Sequence, residues 1–178
     1  LDSDGDLEII FNVTTTSGGS VYAIHHNGVT ISGFPREIGA MWVGPAVHDI
    51  DNDGSYDIIC ATYDREVYAI EANEGTIKAG FPFSTNGRLS VAPTIVDIDD
   101  DGDYEIAIGS DDGELYVLHH DGGIFANYDA GDNIRGGISV CDLNNDGQLD
   151  LLFGSYDDRV HVWDPVANDL LEGWPVDL

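Results

Sequence analysis

The chain repeats itself at long range. The glycine of an Asp-rich loop recurs at Gly5, Gly54, Gly102 and Gly147, with separations of 49, 48 and 45 residues. A period this long, present four times, marks stacked supersecondary units in which each repeat buries its apolar face against its neighbours. Residues 1–178 are therefore expected to form a single domain, with repeats at approximately 1–40, 41–88, 89–135 and 136–178.

The third copy shows the unit best. Val91 to Val96 reads as a short strand, Asp97 to Glu105 as an acidic loop, and Tyr104 to Gly109 as a second strand. The turn Ser110-Asp111-Asp112-Gly113 leads to a third strand, Glu114 to His119, and Asp121-Gly122-Gly123 opens a fourth at Ile124. Asp-Gly between β-rich runs is a strong hairpin signal. Val21-Tyr22-Ala23-Ile24, Val67-Tyr68-Ala69-Ile70 and Leu115-Tyr116-Val117-Leu118 are apolar at adjacent positions, so both faces of each sheet must be covered. Small four-stranded antiparallel sheets covered on both faces are the blades of an all-β fold, a β-propeller. The triplets Gly33-Phe34-Pro35, Gly80-Phe81-Pro82 and Gly173-Trp174-Pro175 are expected on the fourth strand, where an outer edge tolerates proline's missing donor. The third repeat lacks the triplet.

Leu1 falls one residue after the first loop position, so the first repeat is expected to lack its initial strand, leaving fifteen of sixteen strands. Pro175 to Leu178 stops before another first strand. About four blades of a larger propeller are expected, completed by further blades of the parent protein or by another copy of the chain.

The loops carry the chemistry. The pattern Asp-x-Asp/Asn-x-Asp-Gly-x-x-Asp/Glu appears as Asp49, Asp51, Asp53, Asp57, then as Asp97, Asp99, Asp101, Glu105, then as Asp142, Asn144, Asp146, Asp150. The first copy keeps Asp2, Asp4 and Glu8. Oxygen ligands at positions 1, 3, 5 and 9, a seventh position at Asp6, Ser55, Asp103 or Gln148 whose backbone carbonyl is expected to ligate, and a glycine at position 6 fit Ca²⁺. Three to four ions are expected. Asp, Asn and Gly are also ordinary turn residues, but three complete copies in register point to more than turn chemistry. An EF-hand needs a bidentate Glu at position 12 and flanking helices; position 12 here is Cys60, Ile108 or Phe153, each inside a β run.

These residues resemble the FG-GAP or VCBS-type repeats of integrin α-subunit β-propellers and of many secreted bacterial proteins. The resemblance covers essentially the whole chain and rests on a calcium loop leading into Ile-Ala-Ile-Gly-Ser or Leu-Leu-Phe-Gly-Ser. It implies that each loop joins the first two strands of a blade and binds one Ca²⁺. Asn144 at position 3, Glu8 and Glu105 at position 9, and the missing first ligand of copy one depart from the pattern.

Composition narrows the function. Thirty-four acids against six Lys and Arg give a formal charge of −28, which cannot build the basic stripe of a nucleic-acid binder. Four bound Ca²⁺ would bring that to −20. No apolar run approaches the roughly 18 residues of a membrane span. Cys60 and Cys141 sit in apolar runs and read as small buried strand residues without a disulfide. His25-His26 and His119-His120 recur after a third strand and read as architecture. No nucleophile–base constellation is legible, so binding is expected over catalysis. Arg65 and Arg159 fall in second-to-third turns, and Arg88 and Arg135 in interblade links, on the rim opposite the acidic loops, beside Trp42 and Tyr63. These six form a candidate ligand rim; the plainer reading pairs Arg65 with Asp64 and Arg159 with Asp158. The chain reads as an extracellular or cell-surface, calcium-stabilised binding or adhesion module for a protein or glycan. The alternative is the propeller portion of a secreted calcium-dependent polysaccharide lyase.

Overall fold

A computed structural model describes residue 1 and residues 5–178; the candidate ligands Asp2 and Asp4 lie outside the described residues. Its strands form four antiparallel sheets arranged in sequence order. The first sheet holds β1 (Glu8–Thr15), β2 (Gly18–His25) and β3 (Arg36–Glu37). The second holds β4 (Ala46–His48), β5 (Asp57–Ala61), β6 (Glu66–Glu71) and β7 (Phe83–Ser84). The third holds β8 (Thr94–Val96), β9 (Glu105–Gly109), β10 (Glu114–Leu118) and β11 (Ile124–Asp129). The fourth holds β12 (Ser139–Cys141), β13 (Asp150–Ser155), β14 (Arg159–Asp164), β15 (Asp169–Leu170) and β16 (Val176–Asp177). Among the described residues, the first sheet lacks the short leading strand that opens the others. The four sheets do not close into a ring.

Strand period builds the cores. Successive side chains point to opposite faces, so Ile58 and Cys60 of β5 pack against Val21 and Ala23 of the first blade. Ile59 and Ala61 pack the other way, against Ile106 and Ile108 of the third. Ala107 then joins Leu151, Phe153 and Trp163 of the fourth. Each core lies between two blades, and every residue of β5 and β9 is buried. Burying an Ile or Phe is worth about 1.5–3 kcal/mol, so the blade contacts hold the fold where no single sheet has a core of its own. The outer face of β1 shows the converse, with Ile9 and Val13 exposed.

The fourth strand differs from expectation. In blades one and two a single bridge, Ile24 to Thr30 or Ile70 to Ile77, precedes the Gly-Phe-Pro triplet, and a two-residue strand follows it. In blade four β15 and β16 both pair with β14 on either side of Gly173-Trp174-Pro175. The triplets thus sit in the break of an interrupted strand, each with a cis X-Pro bond and a glycine at φ between +86° and +90°. Blade three, which lacks the triplet, has the continuous six-residue β11. The glycine has a steric duty as well. A Cβ on Gly33 would lie 1.9 Å from the Glu74 carbonyl oxygen, and one on Gly80 would lie 1.8 Å from that of Asp121, in the turn of the next blade. Gly173 meets nothing within 4 Å.

The two cysteines part company. Both are free, Cys60 is buried as expected, and Cys141 is exposed because it lies on the short leading strand of the last blade. Burial pushes the Cys60 thiol up to about 12. Iodoacetamide at about pH 8 is expected to alkylate Cys141 alone in the native protein and both cysteines in denaturant, read by peptide mass spectrometry. Native alkylation of Cys60 would contradict this packing.

Candidate functional site

Three described loops, 49–57, 97–105 and 142–150, join the first and second strands of their blades and share one internal geometry. The first carboxylate accepts the N–H groups of positions 5 and 6. Asp53 and Gly54 donate to Asp49 at 3.1 and 2.9 Å, Asp101 and Gly102 to Asp97 at 3.2 Å each, and Asp146 and Gly147 to Asp142 at 3.1 and 2.9 Å. The fifth carboxylate accepts from position 7: Ser55 to Asp53, Asp103 to Asp101, and Gln148 to Asp146. The turn needs two left-handed residues. One is the glycine of position 6; the other is Asn52, Asp100 or Asn145 at position 4, with φ of 56°, 59° and 67°. Asn and Asp tolerate that conformation best among residues with a Cβ. Position 4 escaped the sequence reading, although three Asn/Asp residues in register carried the signal. The side chains so held bring one carboxylate oxygen each from Asp49, Asp51 and Asp53 within 4.8 Å of one another, and likewise from Asp97, Asp99 and Asp101. Asn144 replaces the middle carboxylate in blade four and donates to Asp146 at 2.7 Å.

The ninth position closes each loop from below. Asp57, Glu105 and Asp150 are buried, and each accepts the N–H of position 2: Ile50 at 3.2 Å, Ile98 at 3.0 Å and Leu143 at 2.8 Å. The second oxygens of Glu8, Asp57, Glu105 and Asp150 are buried without a hydrogen-bond partner, that of Asp57 lying 3.1 Å from Lys78 Nζ as an ion pair. Leaving a buried carboxylate oxygen unpaired is costly. Burial accordingly raises the Glu105 and Asp150 carboxyls above their ordinary range. Orphaned oxygens beside a cluster of acids fit a hard cation, so Asp49, Asp51, Asp53 and Asp57, Asp97, Asp99, Asp101 and Glu105, and Asp142, Asn144, Asp146 and Asp150 are the residues that would hold Ca²⁺.

Facing these carboxylates, the last residues of the third strands alternate. Glu8 lies opposite His25 and Asp57 opposite Glu71. His119 Nδ1 is 3.6 Å from Glu105, and His26 and His120 reach Asp6 and Asp103 at 3.2 and 3.3 Å. The recurrent histidines therefore belong to the acidic loops of blades one and three, and tie the third-to-fourth turns to the same rim. In blade two the facing residue is acidic, and Lys78 answers it. Its Nζ, with the side chain 8% exposed, donates to Asp51 at 2.7 Å and to Asp57 at 3.2 Å and lies 3.2 Å from Glu71. Burial works to lower the Lys78 ammonium, and its bonds to Asp51 and Asp57 outweigh that and hold it above its ordinary value. Burial pushes Asp57 up to about 6 against the pull of Lys78, whereas Asp51, less buried, stays below its ordinary range.

The opposite rim is assembled from second-to-third turns and interblade links, joined by bonds such as Tyr63 N–H to the Ala40 carbonyl and Asp111 N–H to the Arg88 carbonyl. Trp42 is 68% exposed and meets Tyr63 edge-on at 5.8 Å. The Arg88 guanidinium stacks on the other side of this cluster, 4.5 Å from the Tyr63 ring centre, and donates to its hydroxyl at 2.9 Å. Arg135 is tied to Asp111 by two bonds of 2.6 and 2.8 Å, and Arg159 pairs with Asp177 at 2.9 Å instead of the neighbouring Asp158. Arg65 reaches the Asn86 carbonyl at 3.4 Å instead of Asp64 and holds φ of 74°, where the matching turn has Gly113. Tyr63, Arg65 and Arg88 line one groove. The six rim residues thus split into a connected cluster of four and two arginines fastened to carboxylates.

Comparison with known proteins agrees with this geometry. Residues 49–108, from the first position of the blade-two loop to Ile108 in β9, match the FG-GAP-like repeat family. No curated protein sequence matches the chain. Among solved structures, BamB from Moraxella catarrhalis superposes with a TM-score of 0.65 at 17% identity, covering 100% of this chain and 48% of that one. BBS1N, solved in complex with ARL6DN, superposes with a TM-score of 0.68 at 13% identity, covering 100% of this chain and 55% of that one. The chain therefore spans about half the length of the structures it matches. Residues 49–108 are thus similar to an FG-GAP-like repeat, and the chain as a whole has the fold of β-propeller blades.

Proposed function

We propose that this chain is a calcium-stabilised, extracellular propeller segment that serves as a binding or adhesion module for a protein or glycan. The orphaned, buried oxygens of Glu105 and Asp150 carry the calcium reading, because a folded chain keeps such groups where a bound cation completes them. Millimolar calcium outside cells suits loops whose remaining ligands are partly exposed, which supports an extracellular setting. The ligand surface is the rim opposite the loops, where Trp42, Tyr63, Arg65 and Arg88 form one aromatic and basic cluster. An exposed indole and guanidinium groups bonded to neutral oxygens are the residue types that anchor interfaces. Further blades, from the parent protein or another copy, would cover the exposed face of β1. One similar structure, BBS1N, was solved in complex with ARL6DN, in keeping with a binding role for this fold.

The test is capture on glycan and extracellular-protein arrays. Trp42→Ala, Arg65→Gly and Arg88→Ala together are expected to reduce capture at least about tenfold, the loss of one good anchor, while calcium-dependent melting stays unchanged. Glycine suits the left-handed turn at position 65. Capture that survives the triple change would remove this rim as the ligand surface, and turnover of acidic polysaccharide without stable capture would remove the adhesion reading.

A further inference from the structure

The blade-two loop differs from its sisters in one respect that no repeat pattern contains. Lys78 follows the bridge Ile70 to Ile77; the residues that follow the matching bridges are Ile31, Phe125 and Leu171. Three blades therefore place an apolar side chain where blade two places an ammonium. That ammonium bonds Asp51 and Asp57, the third and ninth loop positions, and also Glu71, an acid where blades one and three have His25 and His119. The carboxylate oxygens keep some free capacity, because Asp51 Oδ1 is buried without a partner.

We infer that Lys78 is a tethered counter-ion of the blade-two loop, which keeps that loop formed without metal and weakens its hold on calcium relative to the blade-three loop. The inference rests on the reading that the loops hold Ca²⁺. Two positive charges in one cluster of carboxylates repel, and the ammonium takes up oxygens that would otherwise reach the ion. Blade three has no lysine in that place; Glu105 faces His119 at 3.6 Å and keeps an oxygen without a hydrogen-bond partner, so its acidic loop depends on a bound ion for the positive charge that Lys78 supplies in blade two. The loops are thus graded: one carries a built-in brace, and the other is switched by metal.

Calcium titration by calorimetry on wild type and Lys78→Met, with hydrogen exchange of both proteins in chelator, tests this. In wild type, one site is expected to bind about tenfold more weakly than the blade-three site, the size of one added charge near the ion. Lys78→Met is expected to abolish that gap. In chelator, wild-type amides of 49–57 are expected to exchange at least about tenfold slower than those of 97–105, and to lose this protection in the variant. Should Lys78→Met fail to fold in chelator, the wild-type exchange contrast decides alone. Equal exchange of the two loops in wild type, or equal calcium affinities left unchanged in the variant, would overturn the role of Lys78 while leaving calcium binding intact. No calcium heat in either protein would instead overturn the calcium reading; slow exchange of 49–57 lost on Lys78→Met would then still uphold the brace.

Discussion

Adding a chelator is expected to lower the melting temperature of this chain by about 5–10 °C for each loop emptied. The figure follows from about 2.7 kcal/mol for a site with calcium at a hundred times its dissociation constant, and about 2–4 °C per kcal/mol for a domain of this size. Glu105→Gln separates ion binding from simple acid crowding. In calcium the substitution removes a charged ligand and is expected to destabilise. In chelator it removes a buried carboxylate with an orphaned oxygen, and is expected to stabilise by about 1 kcal/mol. The sign of its effect should therefore reverse between the two conditions. An unchanged melting curve, with no metal in protein never exposed to chelator, would falsify the calcium reading.

The second large effect is expected at Gly80. Gly80→Ala places a Cβ 1.8 Å from the backbone oxygen of Asp121 at φ of 88°, so a left-handed alanine and a blade-to-blade clash act together. The backbone conformation alone costs about 1–2 kcal/mol, and overpacking adds about 1–3 kcal/mol. Gly173 supplies an internal control, having the same triplet and φ of 90° but open space around it. Gly173→Ala should show only the conformational loss. Equal melting shifts for the two alanines would mean that the contact between blades two and three does not bear on stability.

Much of this was legible in the sequence, for local reasons. The period of the acidic loops predicted the blades, the adjacent apolar positions predicted sheets covered on both faces, and turn residues placed the loops between the first and second strands. What escaped it is non-local. The partners of Lys78 lie 27 and 21 residues away and left no local signal, and Arg159 pairs with Asp177, 18 residues on, where nearest-neighbour charge pairing pointed to Asp158. The interrupted fourth strand escaped because an edge ladder of two residues has no periodicity to read. Cys141 sits in an apolar run like that of Cys60, yet its strand is the exposed leading strand of the last blade, and only the arrangement of blades shows that. The candidate calcium ligands of each loop, in contrast, come from nine consecutive residues, and a motif that short survives intact in sequence.

The glycines of the first two Gly-aromatic-Pro triplets let two backbones touch, Gly33 against Gly75 and Gly80 against Gly122. Because these contacts lie beside the last strands of the sheets while β4 and β8, at the opposite edges, also meet, they act as spacers that set the opening angle of the wedge between neighbouring blades. In a ring, such angles must add to a full turn. A methyl group inserted at one spacer would therefore change the curvature of everything built beyond it, and an angular error made between two blades would reappear where the circle has to meet itself.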